Sequence, residues 1–133
     1  MEYGTGTWNR KSGPRKGDDV AERLESFAVA VLDMMPKLER TWASRHLARQ
    51  LARCATGRGS NYEEARGAES HADFVHKVSV AAKELREAHY WLRLVRRSKH
   101  LSDRAGLDAV VAEADELIAI LTASARTAKA RAR

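Results

Sequence analysis

From Phe74 to Val95 the apolar residues recur at alternating intervals of four and three: Phe74, Val78, Ala81, Leu85, Ala88, Leu92 and Val95. A strand cannot use that period, because its side chains alternate at every second residue. A helix of 3.6 residues per turn lines all seven along one side. The spacing predicts a long amphipathic helix starting at Ser70, with Asp73 at the third helical position as a variant capping box. Val75, Val80, Trp91 and Leu94 lie beside the stripe and widen it. A face broader than one seam predicts burial against more than one neighbour, and so an oligomer.

Three further segments read as helices. Val20, Leu24, Phe27, Val31 and Met34 repeat the four-three spacing after Asp19, a candidate cap with Glu22 three residues on. Pro36 ends that segment, since it disfavours helical geometry at Met35. The next begins between Pro36 and Ser44, carries Leu47, Leu51, Cys54 and Ala55, and meets Gly57 and Gly59, which predict a bend before the run continues to Gly67. The last follows Ser102 as a cap and carries Leu107, Val110, Val111, Ala114, Leu117, Ile118 and Leu121. No stretch alternates as a half-buried strand would. Four long helices with short connections predict an all-α chain folded as an antiparallel four-helix bundle. The 133 residues suit one domain. The expected division is a disordered basic N-terminal tail at 1–17, the bundle at 18–125 and a basic C-terminal tail at 126–133.

Charge is unevenly placed. The formal net charge is +6, and it comes from the ends: residues 1–17 carry four cations against Glu2, and residues 122–133 carry four cations and no acid. The middle is close to neutral, yet Arg40, Arg45, Arg49, Arg53 and Arg58 follow one another without an acid between them. Arg45, Arg49 and Arg53 form one column on a helix, where like charges repel by a few tenths of a kcal/mol per pair. Such a column suits a polyanion, because each neutralised phosphate releases counterions. The candidate nucleic-acid contacts are therefore Arg45, Arg49, Arg53 and Arg58, with Arg126, Lys129 and Arg131 of the tail. Arg93, Arg96, Arg97 and Lys99 form a second acid-free run, equally suited to a helix C-terminus. Aromatic residues make up 6% of the chain, which favours phosphate contact over base stacking.

Other chemistries lack their residues. The one cysteine, Cys54, excludes an internal disulfide framework or a cysteine-rich zinc site and fits a reducing cytoplasm. His71 and His76 are five apart and do not share a helical face, and no duplicated Glu-x-x-His pair occurs. Gly57-Arg58-Gly59-Ser60 lacks the Gly-Lys-Ser/Thr ending of a phosphate loop. No metal, cofactor or catalytic constellation is expected. No window is apolar enough to span a membrane, and the first residues lack the apolar core of a secretory signal.

One segment is more specific. Gln50 to Ala65 reads Gln-Leu-Ala-Arg-Cys-Ala-Thr-Gly-Arg-Gly-Ser-Asn-Tyr-Glu-Glu-Ala. It resembles the signature of the four helix bundle proteins, also called 23S ribosomal RNA intervening sequence proteins, at Gln50, Arg53, Ala55, Ser60, Asn61 and Glu64. The helix carrying Phe74, Glu84, Glu87, Tyr90 and Trp91 is also similar to theirs. Arg58 stands where that signature has an apolar residue, and Ala65 replaces its closing glycine. The resemblance implies an antiparallel bundle assembling into a ring, often of five subunits. The chain is also similar to the accessory proteins of diversity-generating retroelements, basic bundles that work with a reverse transcriptase and its RNA. Gln50, Ser60, Asn61, Glu64 and Glu87 are read as residues that set packing or subunit contact, with a ligand site at Asn61 and Glu64 as the alternative reading. Asn61 would bond backbone groups freed by the glycine interruption, and Glu64 would pair with a cation or a neighbouring helix.

These residues predict a non-enzymatic, cytoplasmic homo-oligomer that binds nucleic acid, RNA above all. The alternative is a scaffold or adaptor for a protein partner such as a reverse transcriptase, anchored by Tyr90, Trp91 and Leu94.

Overall fold

The computed structural model describes residues 17–38, 40–57 and 61–131, and every element among them is helical. The N-terminal tail up to residue 16, together with Arg58 and Ser60, lies outside the described residues.

Helix α1 spans Asp18–Met34. Its start differs from the expected capping box: Gly17 precedes it at φ 88°, no side chain caps it, and Asp18 and Asp19 sit in its first turn. There they meet the positive end of the helix dipole. Met34 passes into a single 3-10 turn, Met35–Lys37, where Pro36 interrupts the α-helix as expected. Helix α2, Trp42–Thr56, is capped by Thr41, whose hydroxyl oxygen accepts from the Ser44 amide at 3.1 Å. It stops at Gly57, which takes φ 71°, a left-handed value that suits a residue without Cβ. The interruption therefore splits the second segment in two, and the short helix α3 runs over Asn61–Arg66.

Helix α4, His71–Ser98, begins where expected, with the Ser70 hydroxyl oxygen accepting from the Asp73 amide at 3.0 Å. Helix α5, Arg104–Arg131, is capped by Asp103 and not by Ser102: the Asp103 carboxylate accepts from the Gly106 amide at 3.1 Å. An ionised cap faces the helix dipole more favourably than a hydroxyl. Helix α5 continues through Arg131, so Arg126, Lys129 and Arg131 occupy its last turns.

The four long helices close on one another. Helix α1 packs on α2 and α5, and α4 packs on α2 and α5. Contacts between α4 and α5 run in opposite directions: Arg96 meets Asp108, His89 meets Asp115, Arg86 meets Thr122 and His71 meets Ala128. His46 meets Trp91 and Arg53 meets Glu87, which sets α2 antiparallel to α4. Arg23 holds Glu113 while Lys37 approaches Asp103, which does the same for α1 and α5. The result is an antiparallel four-helix bundle, with α3 tucked against α4.

The periodic residues fill its interior. Val78, Ala81, Leu85, Ala88, Leu92 and Val95 are buried from α4, with Phe27 and Val31 from α1, Leu47 and Leu51 from α2, and Leu107, Leu117 and Leu121 from α5. Helix α4 touches α2, α3 and α5, and Trp91 and Leu94 pack partly against this core. The breadth of its apolar face is thus largely used inside the chain, and gives less support to an oligomer than its sequence suggested. Among the described residues, the large apolar side chains left exposed are Val29, Leu32, Trp42 and Tyr90. Among the described residues, no helix is long and apolar enough to cross a membrane.

Candidate functional site

Helix α2 contains no acid. Its buried side holds Leu47, Leu51 and Cys54, so the intervening Arg45, Arg49 and Arg53 face outward, and all three are exposed. They differ in what they meet. Among the described residues, neither Arg45 nor Arg49 lies within ion-pair distance of a carboxylate. Arg53 is committed: it donates to Glu87 on α4 at 2.6 Å and to Gln50 at 3.2 Å. The same Glu87 oxygen accepts from the Trp91 indole at 3.5 Å. Burial pushes the Glu87 carboxyl up, but the bonds from Trp91, Cys54 and Arg53 outweigh it and hold it below the usual range. The open part of the column is therefore Arg45 and Arg49, with Arg53 tied down at its end.

The second basic run completes this surface. Tyr90, Arg93 and Arg97 recur at helical spacing on α4 and are exposed. Arg93 lies over the Tyr90 ring, 5.7 Å from its centroid. Arg96 is paired with Asp108 at 3.7 Å. Rings bridge the two helices: Trp42 stacks on His46 at 6.0 Å, His46 meets Trp91 edge-on at 5.9 Å, and Trp91 meets Tyr90 at 5.3 Å. Sequence reading placed Tyr90 and Trp91 at a protein contact and left Trp42 unassigned. The signal for Trp42 was its place on the helical face of Arg45 and Arg49.

Arg126, Lys129 and Arg131 do not join this surface. The end of α5 sits beside the start of α4, where a His71 ring nitrogen lies 2.6 Å from the Ala128 carbonyl. Twenty residues of α4 separate that level from Trp91, roughly 30 Å along a helix. One chain thus carries two basic zones, one at each end of the bundle.

The motif residues divide as well. Gln50 and Glu87 meet at Arg53 and lock α2 to α4. Glu64 is exposed, with no ion pair among the described residues, and Asn61 does not bond backbone through its amide nitrogen: Asn61 Nδ2 is buried without a partner. Asn61 lines a cleft of about 570 Å³ between α1, the end of α2, α3 and α4. Asp18, Glu22, Glu25, Glu63 and Glu84 line the same cleft, so it repels polyanions. Arg66 of α3 pairs there with Asp18 and Glu63. The Cys54 Sγ and one carboxylate oxygen each from Glu84 and Glu87 lie within 4.8 Å of one another. This is the one grouping of possible metal ligands among the described residues. Burial, with the neighbouring Glu87, raises the Cys54 thiol to about 11, so it is protonated at neutral pH and a poor nucleophile.

The geometry defines a class: a four-helix bundle with a basic, ring-bearing face. The chain belongs to the 23S rRNA-intervening sequence protein family, whose profile matches residues 17–123. Among solved structures it is similar to a protein of unknown function from the S23 ribosomal protein family of Bacteroides thetaiotaomicron VPI-5482. The two are 28% identical with a TM-score of 0.72, over 80% of this chain and 97% of that one. Comparison with curated proteins finds no match.

Proposed function

We propose that this protein is a non-enzymatic nucleic-acid-binding bundle of the cytoplasm whose partner is RNA. The observation that carries the reading is the acid-free helix α2, with Arg45 and Arg49 exposed and free of carboxylate partners among the described residues. Arg93 and Arg97 of α4 extend the same positive surface, and Arg126, Lys129 and Arg131 add a second zone. Contact through guanidinium and ammonium groups reads phosphates, so binding is weakly dependent on sequence. In a ring, the count of five being the one the family resemblance implies, each subunit repeats the surface and modest affinity per site multiplies. The exposed Val29 and Leu32 on α1, uncovered within the chain, suit a contact between subunits.

The test is titration with RNA and with duplex DNA across a salt series. Replacing Arg45 and Arg49 together by glutamine should lower affinity at low salt and reduce the salt slope by about two, one per lost phosphate contact. Absence of binding to either polymer at low salt rejects the proposal. Light scattering tests the assembly, and a 14.8 kDa particle at micromolar protein rejects the ring.

A further inference from the structure

Trp42 is, among the described residues, the most exposed of the large apolar side chains, at 76%, although it opens an amphipathic helix whose other large apolar residues are buried. A free indole surface of that size costs solvation free energy, about 25 cal/mol for each Å² left in water. Tyr90, on the neighbouring helix, is 47% exposed. The two are connected through His46 and Trp91, so four rings form a continuous strip across α2 and α4. Arginines flank the strip on both helices: Arg45 and Arg49 from α2, Arg93 and Arg97 from α4. Glu87, beside the strip, is occupied by Arg53 and Trp91.

We infer that this strip is a stacking platform for single-stranded RNA, with bases laid on Trp42 and Tyr90 and phosphates held by the flanking arginines. The inference rests on the polyanion reading above and adds the form of the polymer. Rings offer their faces to unstacked bases, and only loops, bulges and single strands provide those. A duplex buries its base faces and offers phosphates, 2′-hydroxyls and base edges instead. A second copy of this face is a poor occupant, because a two-fold contact would oppose arginine to arginine. Low aromatic content therefore does not exclude stacking, because Trp42, Trp91 and Tyr90 are gathered on the two helices that carry Arg45, Arg49, Arg93 and Arg97.

The experiment compares an unstructured RNA oligonucleotide with an RNA duplex of equal length, using wild type, Trp42→Ala, Trp42→Phe, Tyr90→Ala and the Arg45→Gln/Arg49→Gln double variant. Trp42→Ala is expected to weaken single-strand binding roughly tenfold, with less than about twofold loss on the duplex and an unchanged salt slope. Trp42→Phe should retain most of the affinity, while losing the part of the tryptophan fluorescence quenching that single strand produces in wild type. Circular dichroism confirms that each exposed-residue variant keeps its helix content. Equal losses on both polymers, or no effect of Trp42→Ala where wild type binds, overturn the platform and leave the arginine reading standing. Failure of wild type to bind either polymer at low salt overturns both. In that case, a drop in particle mass caused by Trp42→Ala would assign the strip to contact between subunits.

Discussion

Arg53 on α2 and Glu87 on α4 meet at 2.6 Å, and that single pair both fastens two helices and removes one cation from an otherwise open column. Gln50 and Trp91 bond to the same two side chains, so the pair is held from both sides. Both side chains are 40% exposed, so solvent screens the ion pair and limits its contribution to stability.

Glu87→Gln should release Arg53 without emptying the space. The urea midpoint is expected to shift only slightly, in line with exposed pairs. Polyanion affinity at low salt should rise, with the salt slope steeper by about one as a new arginine reaches phosphate. Fluorescence anisotropy across salt concentrations reads both effects.

Cys54 supplies a pH test. Its thiol titrates at about 11 in the folded chain against an ordinary value of 9.0. The proton is kept by the folded state and lost by the unfolded one between those values, so stability is intact below pH 9 and declines as pH rises toward 11. Each tenfold difference in proton affinity between the two states corresponds to about 1.4 kcal/mol. Cys54→Ala should flatten that decline in denaturant melts, and an aromatic disulfide reagent at about pH 8, below the thiol's ordinary range, should label wild type only after unfolding.

Leu92 is fully buried where α4 meets its neighbours. Leu92→Ala should cost about 2–5 kcal/mol, as cavities in close-packed cores do. Arg49→Gln should change stability by less than about 0.5 kcal/mol. Thermal melts of the two variants separate core from interface.

Gly17→Ala tests the entry to α1. The backbone there is left-handed at φ 88°, and an added Cβ would lie 2.6 Å from the Tyr62 hydroxyl of α3. A loss of about 1–2 kcal/mol is expected from backbone strain alone. Hydrogen exchange should quicken at Asp18–Ala21 and in α3, because Arg66 joins these segments through Asp18.

Much of the fold was legible because its signals are local. The four-three spacing on α4, the Ser70 cap, Pro36 and Gly57 all act within about one helical turn, and the backbone obeys them wherever the chain goes. Misplaced details were local competitions too: Asp103 displaced Ser102 as a cap, and Gly17 replaced the Asp19 box. The candidate site was legible only in part. The α2 arginines stood out as a column, yet the column alone did not distinguish Arg53 from Arg45 and Arg49.

The sequence by itself determined that the chain is helical, where its helices break and which stripe of each turns inward, since those follow from contacts no more than about four residues apart. Tertiary structure decided which arginine is neutralised, that Trp42 and Tyr90 join one exposed strip, and that Arg126, Lys129 and Arg131 lie at the far end of the bundle. Those outcomes depend on how each helix is rotated about its axis and slid against its neighbours. Packing of the whole core sets both, and no single segment encodes them.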